Sequence, residues 1–166
     1  MKKLLVIGCP GSGKSTFSRK LHACTGLPLC HLDLLYWNED KSTVEKEVFL
    51  QRLRQVLLGE AWIIDGNYAS TLPLRMEYCD TVIFLDYPVD LCLQGILDRR
   101  GKPRADMPWV ETDVEDEEFL SFIRNFSTQT RPKLLKLLEE RGDKEIYAFQ
   151  NRQEAEEFLT KLQKRC

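Results

Sequence analysis

A phosphate-binding loop is predicted near the start of the chain by residue type and spacing. Residues 8–15 read G-x-x-x-x-G-K-S, and the residues expected to hold a nucleotide are Gly8, Pro10, Gly11, Ser12, Gly13, Lys14, Ser15 and Thr16. The glycines let backbone N–H groups turn toward an anion. Lys14 adds a positive charge for the β- and γ-phosphates, and the Ser15 hydroxyl is placed to ligate Mg²⁺. We therefore expect ATP and Mg²⁺ as cofactors.

The elements around this loop have the pattern that such a loop needs. Apolar residues 4–7 suit a buried parallel strand, and an amphipathic helix with Phe17 and Leu21 follows the loop. Further strands are expected at 28–33, 61–65, 81–85 and 145–149, with helical patterns between them. Capping boxes at 42–45 and 151–154 are expected to begin two of these helices. The alternation predicts an α/β three-layer sandwich, in which a parallel sheet is covered on both faces.

Acidic residues are expected at the edge of the sheet where such folds bind ligands, the carboxyl ends of the strands. Asp33 is predicted to end the second strand, and Asp65 ends the third. Asp33 could orient or deprotonate an acceptor hydroxyl, while Asp65 could hold Mg²⁺ together with Ser15. The alternatives are a helix cap for Asp33 and an ordinary turn for Asp65.

Residues beside these acids are candidates for binding the acceptor. Tyr36 and Trp37 could form aromatic walls, although packing under a neighbouring helix is their alternative. Gly66 would let a substrate approach the backbone. Asn67 and Tyr68 could hydrogen-bond it. The full predicted substrate set is Asp33, Tyr36, Trp37, Asp65, Gly66, Asn67, Tyr68 and Arg124.

A lid is predicted from Arg99 to Glu118, where the apolar periodicity disappears and charge, proline and glycine dominate. Its basic start suits the negative charge of a transferring phosphoryl group. Arg124 and Arg131 would share a helical face if their helix continued, but Pro132 should kink or restart it. The predicted catalytic set is Lys14, Asp33, Arg99, Arg104 and Arg131, and a solvated basic patch is the alternative for the arginines.

Length and composition indicate an ordinary globular protein. The 166 residues suit a single domain, and the net charge of −2 does not favour direct nucleic-acid binding. No apolar run approaches the roughly 20 residues that span a bilayer, and the N-terminus lacks the pattern of a signal peptide. A cytoplasmic location is therefore expected. The six cysteines form no C-x-x-C pair, and His22 and His31 belong to no metal motif, so we expect structural roles for them.

Three segments resemble a family of small bacterial P-loop kinases: HLDLLYW at 31–37, WIIDGNY at 62–68 and RP at 131–132. The chain is similar over nearly its whole length to the adenylate-kinase-like group, and within it to the FlaR-like proteins called DNA topology modulation proteins. The resemblance implies ATP and Mg²⁺ binding, a mobile lid, strand order 2-3-1-4-5 and phosphoryl transfer to a small acceptor. Adenylate kinases proper have Asp-Gly-Phe-Pro-Arg where this chain has Asp65-Gly66-Asn67-Tyr68. The arginine that this chain lacks there would contact the acceptor's phosphate, which argues against AMP as the acceptor.

Two functions of different classes remain open from the sequence. The first is a kinase for a nucleoside, a nucleotide or a similar small metabolite. Such a kinase would be a monomer or a homodimer and would not act at a membrane. The second is an NTP-binding regulator linked to DNA topology, which should have a basic stripe outside the lid. A GTPase would need an Asn-Lys-x-Asp motif, and a motor ATPase would need paired Asp-Glu after a strand. The sequence contains no Asn-Lys-x-Asp motif and no Asp-Glu pair directly after a predicted strand.

Overall fold

The fold is built on one parallel sheet, seen in a computed structural model that describes residues 1–109 and 116–164. Its strands are β1 (Lys3–Gly8), β2 (Leu29–His31), β3 (Trp62–Asp65), β4 (Thr81–Leu85) and β5 (Glu145–Phe149). They pair in parallel in the order β2-β3-β1-β4-β5, which confirms the predicted order. The central strand β1 has its residues 4–7 fully buried, as expected for a strand covered on both faces.

Helices flank the sheet and carry the residues that complete the core. They are α1 (Lys14–Thr25), α2 (Leu32–Tyr36), α3 (Lys46–Leu57), α4 (Leu72–Tyr78), α5 (Val89–Arg99), α6 (Glu117–Arg124), α7 (Arg131–Glu139) and α8 (Arg152–Gln163). A 3₁₀ turn spans Ala69–Thr71, and a π-helical turn spans Phe126–Thr130. The amphipathic helix α1 buries Phe17 and Leu21, as its spacing predicted. Within the described ranges, no helix is long and apolar enough to cross a membrane.

The chain enters α2 earlier than the sequence suggested. β2 ends at His31, and the buried Leu32 already begins the helix. Asp33 therefore lies in the first turn of α2 instead of ending a strand. This corrects the expected strand at 28–33, although the residue stays at the predicted edge of the sheet, since β2 runs directly into the turn that carries it.

One of the two predicted capping boxes is wrong. α3 begins at Lys46, and its N-cap residue, Glu45, makes no side-chain capping bond. Thr43 pairs instead with Trp37 in an isolated antiparallel bridge, so the backbone at 42–44 is held extended. The box before α8 is confirmed, because the Asn151 side chain accepts a hydrogen bond from the backbone N–H of Glu154.

The predicted lid is irregular over its first part. α5 ends at Arg99, and residues 100–109 form turns without a helix or strand. Residues 110–115 lie outside the described part of the chain, and α6 already begins at Glu117. After the π-helical turn, α7 starts at Arg131 with Pro132 in its first turn, where a missing N–H is tolerated. The expected restart at this proline is confirmed.

Candidate active site

The loop between β1 and α1 has an open cradle on one side and close packing on the other. Gly13 precedes α1 with φ 89°, and a Cβ there would meet nothing within 4 Å. Gly11, with φ 82°, packs against α5, because a Cβ there would come within 2.0 Å of the Cys92 carbonyl oxygen. The hydroxyl of Ser12, 2% exposed, has no hydrogen-bond partner among the described residues. A buried donor in an open cradle at a helix N-terminus suits a phosphate group.

Lys14 is aimed back into this loop. Its ammonium donates a 3.1 Å hydrogen bond to the carbonyl oxygen of Cys9. Removal from water lowers the pKa of Lys14, and the negative charges of Asp65 and Asp33 partly oppose that change. An incoming phosphate would offer this cation a far stronger partner than a carbonyl oxygen.

A cavity of about 850 Å³ joins the loop to the other candidate residues. Most predicted site residues line it: residues 10–16 of the loop together with Asp33, Trp37, Asp65, Gly66, Asn67, Tyr68, Arg99 and Arg104. The fold thus brings together residues from the ends of three strands and from the start of the predicted lid. Phosphoryl transfer requires a phosphate cradle, an acid and cations in one such space.

Asp33 faces this cavity and is held by Tyr68. The Tyr68 hydroxyl donates a 2.5 Å hydrogen bond to Asp33 Oδ1. Burial raises the pKa of Asp33, and the hydrogen bond from Tyr68 opposes that rise. The helix-cap alternative does not hold, because His31 is the N-cap of α2 and makes no side-chain capping bond there. The carboxylate is therefore placed for a ligand in the cavity.

Asp65 is bonded to a histidine that the sequence did not connect with it. Its Oδ2 lies 2.7 Å from His31 Nδ1, and both residues are buried. The two residues are opposite each other in the β2–β3 register, which only the strand pairing reveals. A carboxylate can only accept, so the ring nitrogen donates and fixes the orientation of Asp65. His31 thus has a structural role, as expected, and the residue that it positions is the candidate site residue Asp65.

The loop after β3 is held by two side chains. The Asn67 amide pairs with the backbone of Gly8, accepting from its N–H at 3.1 Å and donating to its carbonyl oxygen at 2.6 Å. Arg75, fully buried, donates to the carbonyl oxygens of Gly66, Asn67 and Tyr68. Asn67 therefore ties this loop to the phosphate loop, and its contact with an acceptor stays a prediction. Arg75 belongs to no motif, so no pattern in the sequence pointed to its role.

The structure places four predicted residues away from the cavity wall. Among the described residues, Gly8, Tyr36, Arg124 and Arg131 are not part of its lining. Tyr36 packs edge-on against Phe49, Trp37 and Tyr68, which is the packing alternative for this residue.

The two arginines at the end of α6 and the start of α7 have other partners. Arg124 pairs with Glu117 at 2.6 Å on an exposed surface. Arg131 pairs with both carboxylate oxygens of Asp86 at 2.7 Å. The π-helical turn between them breaks the helix on which their common face was predicted. Their expected substrate and catalytic roles are therefore not supported by position.

Asp106 is a site residue that the sequence did not identify. It belongs to the irregular segment after α5, is 1% exposed, and lines the cavity. Its Oδ2 accepts a 2.7 Å hydrogen bond from the Ser15 hydroxyl, and the Arg104 guanidinium pairs with both carboxylate oxygens. The pKa of Asp106 falls to about 2, because these partners outweigh the effect of burial. Asp106 lies in a charge-rich segment of the sequence, so no pattern distinguished it from the solvated charged residues expected there.

The donor set fits a magnesium ion that arrives with a nucleotide. Within the described ranges, no group of three or more His, Cys, Asp or Glu side chains could hold a metal by itself. Mg²⁺ in phosphotransferases is usually bound by one or two protein oxygens together with phosphates and water. The Ser15 hydroxyl and the carboxylates on the cavity wall are ligands of this kind.

Comparisons with known proteins support the fold and leave the family open. No family model matches the chain. It is 31% identical over 103 residues to the uncharacterized protein YqaC of Bacillus subtilis (strain 168), a match that covers 59% of this chain and 56% of that protein. It is also similar to the crystal structure of shikimate kinase from Bacteroides thetaiotaomicron, at 18% identity, with a TM-score of 0.59 over 97% of this chain and 96% of that one. The chain therefore has the fold of a P-loop kinase.

Proposed function

We propose that this protein is an ATP-dependent phosphotransferase that moves the γ-phosphoryl group to a hydroxyl of a small acceptor in the cytoplasm. The observation that carries the proposal is a single cavity lined by the phosphate loop, the carboxylate of Asp33 and the arginines Arg99 and Arg104. A half-buried acid that Tyr68 orients beside the phosphate site favours phosphoryl transfer over nucleotide binding alone, because such a group can accept the proton of an acceptor hydroxyl. The resemblance to the FlaR-like proteins supports placing the chain near that family.

Each residue has a definite part in the proposed reaction. The backbone of the loop and Lys14 hold the β- and γ-phosphates. The oxygen of the acceptor hydroxyl bonds to the γ-phosphorus, while the bond between that phosphorus and the bridging oxygen of the departing ADP breaks. Asp33 takes the proton that the hydroxyl loses. Arg99 and Arg104 neutralise charge on the transferring group. Ser15 and Asp65 would hold magnesium, which supplies further charge neutralisation on the phosphates.

The acceptor side of the cavity suits a ring-bearing hydroxyl compound. Trp37 and Tyr68 supply aromatic surface there, and Asp33 lies against Tyr68. Flat rings pack well on such surfaces, while the carboxylate selects a hydroxyl within its reach. Nucleosides fit this description. Shikimate is a further candidate acceptor, because the structurally similar protein is named a shikimate kinase.

A coupled ADP-release screen tests the proposal. Purified protein is given MgATP with nucleosides, nucleoside monophosphates, shikimate or gluconate, and ADP release is compared with a sample lacking the acceptor. We expect one class to raise the rate at least about tenfold, because lid closure on an acceptor favours transfer over hydrolysis. ADP release that no acceptor changes would favour the regulator instead.

A further inference from the structure

Asp106 makes a contact that the proposed roles do not explain. Its Oδ2 lies 2.7 Å from the Ser15 hydroxyl, although 91 residues separate the two in the chain. The acid is 1% exposed, and its other neighbours are cations: Arg104 pairs with both of its oxygens, and Arg19 lies 3.9 Å from Oδ1. Burial of an ionised carboxylate is costly unless partners compensate it, so this placement is specific.

The atom that Asp106 contacts is informative. An acid that merely stood in for a phosphate would be expected to pair with the loop lysine, the strongest cation of the loop. The ammonium of Lys14 donates instead to the Cys9 carbonyl oxygen, and Asp106 lies on the Ser15 hydroxyl. That hydroxyl is the loop atom whose chemistry suits a metal rather than a phosphate.

The spacing of the two oxygens also suits a shared metal. Mg²⁺ binds oxygen ligands at about 2.0–2.1 Å in an octahedron, so neighbouring ligands lie about 2.9 Å apart. The observed 2.7 Å between Ser15 Oγ and Asp106 Oδ2 differs little from that separation. The two side chains could thus become adjacent ligands with only a small outward movement.

We propose that Asp106 is a ligand of the magnesium ion that binds with the nucleotide, so that the segment after α5 contributes directly to the metal site. The inference rests on the proposed function and assigns to this segment a second role besides supplying arginines. Arg104, which pairs with Asp106 in this structure, would be released to the phosphates of a bound nucleotide, and a bound magnesium would supply the positive charge that compensates the acid. The shared metal would then join the segment to the loop in place of the direct hydrogen bond between Asp106 and Ser15.

Metal and nucleotide affinities, measured separately, test this inference. The probe is Mn²⁺, whose free concentration is followed by electron paramagnetic resonance with saturating ADP; metal-free ADP binding is measured by calorimetry in EDTA. Asp106→Asn should raise the dissociation constant of Mn²⁺ about tenfold or more, the scale of a lost group in a metal site. Its metal-free ADP affinity should stay within about threefold, because the loop contacts are unchanged. Asp106→Glu, which keeps a carboxylate, should retain more of the metal affinity than Asp106→Asn.

Asp98→Asn is the matched control. Asp98 lines the same cavity but is exposed and pairs with Gln94. The Asp98→Asn protein should therefore bind Mn²⁺ as tightly as the wild type. Unchanged Mn²⁺ affinity in Asp106→Asn would overturn the inference. So would tighter metal-free ADP binding, which would make Asp106 an inhibitory stand-in for phosphate, or equal loss of both affinities, which would make it a structural anchor. If the wild type bound no ADP at all, the proposed function itself would fail.

Discussion

The hydroxyl of Tyr68 donates a 2.5 Å hydrogen bond to the carboxylate of Asp33, joining the loop after β3 to the first turn of α2. The bond orients the proposed base on the cavity wall. It also stabilises the charged form of Asp33, whose pKa burial would otherwise raise further. A positioned carboxylate of raised pKa is the kind of group that general-base chemistry uses.

Asp33→Asn tests the role of the base. The substitution keeps the shape and removes the charge, so kcat should fall roughly 10²-fold or more while ATP affinity stays within about threefold. Product formation and nucleotide binding are measured on one preparation. Transfer at the wild-type rate would remove Asp33 from the reaction, and loss of ATP binding would make it a structural or metal-binding group.

Tyr68→Phe gives the pH dependence of the same pair. The hydrogen bond from Tyr68 lowers the pKa of Asp33, so its removal raises that pKa. Activity requires the ionised acid and is lost as the pH falls through its pKa. The acidic limb of the kcat profile should therefore move to higher pH in Tyr68→Phe, with a smaller change on the alkaline side. An acidic limb at the same pH as in the wild type would contradict the assignment.

Arg75→Met should destabilise the protein. Arg75 is fully buried and serves the carbonyl oxygens of three successive residues, one of which, Tyr68, has a left-handed backbone with φ 35°. Methionine leaves these acceptors without their donors, which should cost about 2 kcal/mol or more. Arg54→Met on the exposed face of α3 is the control and should stay within about 0.5 kcal/mol. Urea unfolding of both variants measures the difference in stability. Equal midpoints would refute the role of Arg75 in holding the loop after β3.

Gly95→Ala should weaken nucleotide binding although alanine favours a helix. A Cβ at Gly95 on α5 would lie 2.0 Å from the Gly11 carbonyl oxygen, so the phosphate loop must shift. A displacement of this size should lower ATP affinity about tenfold or more. Gly142→Ala is the matched control, since a Cβ there would meet nothing closer than 4.0 Å. Calorimetric titration of both variants should show loss of affinity in Gly95→Ala alone. Equal affinities would mean that loop and helix are not closely fitted.

The sequence predicted those parts that local patterns encode. Apolar strands, the glycine-rich loop and the cap of α8 each follow from a few adjacent residues, and the strand order followed from resemblance. Long-range pairings were not accessible in this way. The bonds from His31 to Asp65 and from Ser15 to Asp106 depend on strand register and on the path of an irregular segment. The condition for a common face of Arg124 and Arg131, a helix that continues from one to the other, is not met, because a π-helical turn lies between their helices.

The fate of the γ-phosphoryl group tests the proposed phosphotransferase activity most directly. ATP labelled in that group is incubated with Mg²⁺, a pool of small metabolites and wild-type protein, Lys14→Ala or the exposed-lysine control Lys133→Ala. Loss of the Lys14 charge should remove several kcal/mol of transition-state stabilisation. We therefore expect label in an organic phosphate with the wild type and with Lys133→Ala, and none with a folded Lys14→Ala protein. Label released only as inorganic phosphate, or equal transfer by Lys14→Ala, would contradict the proposal.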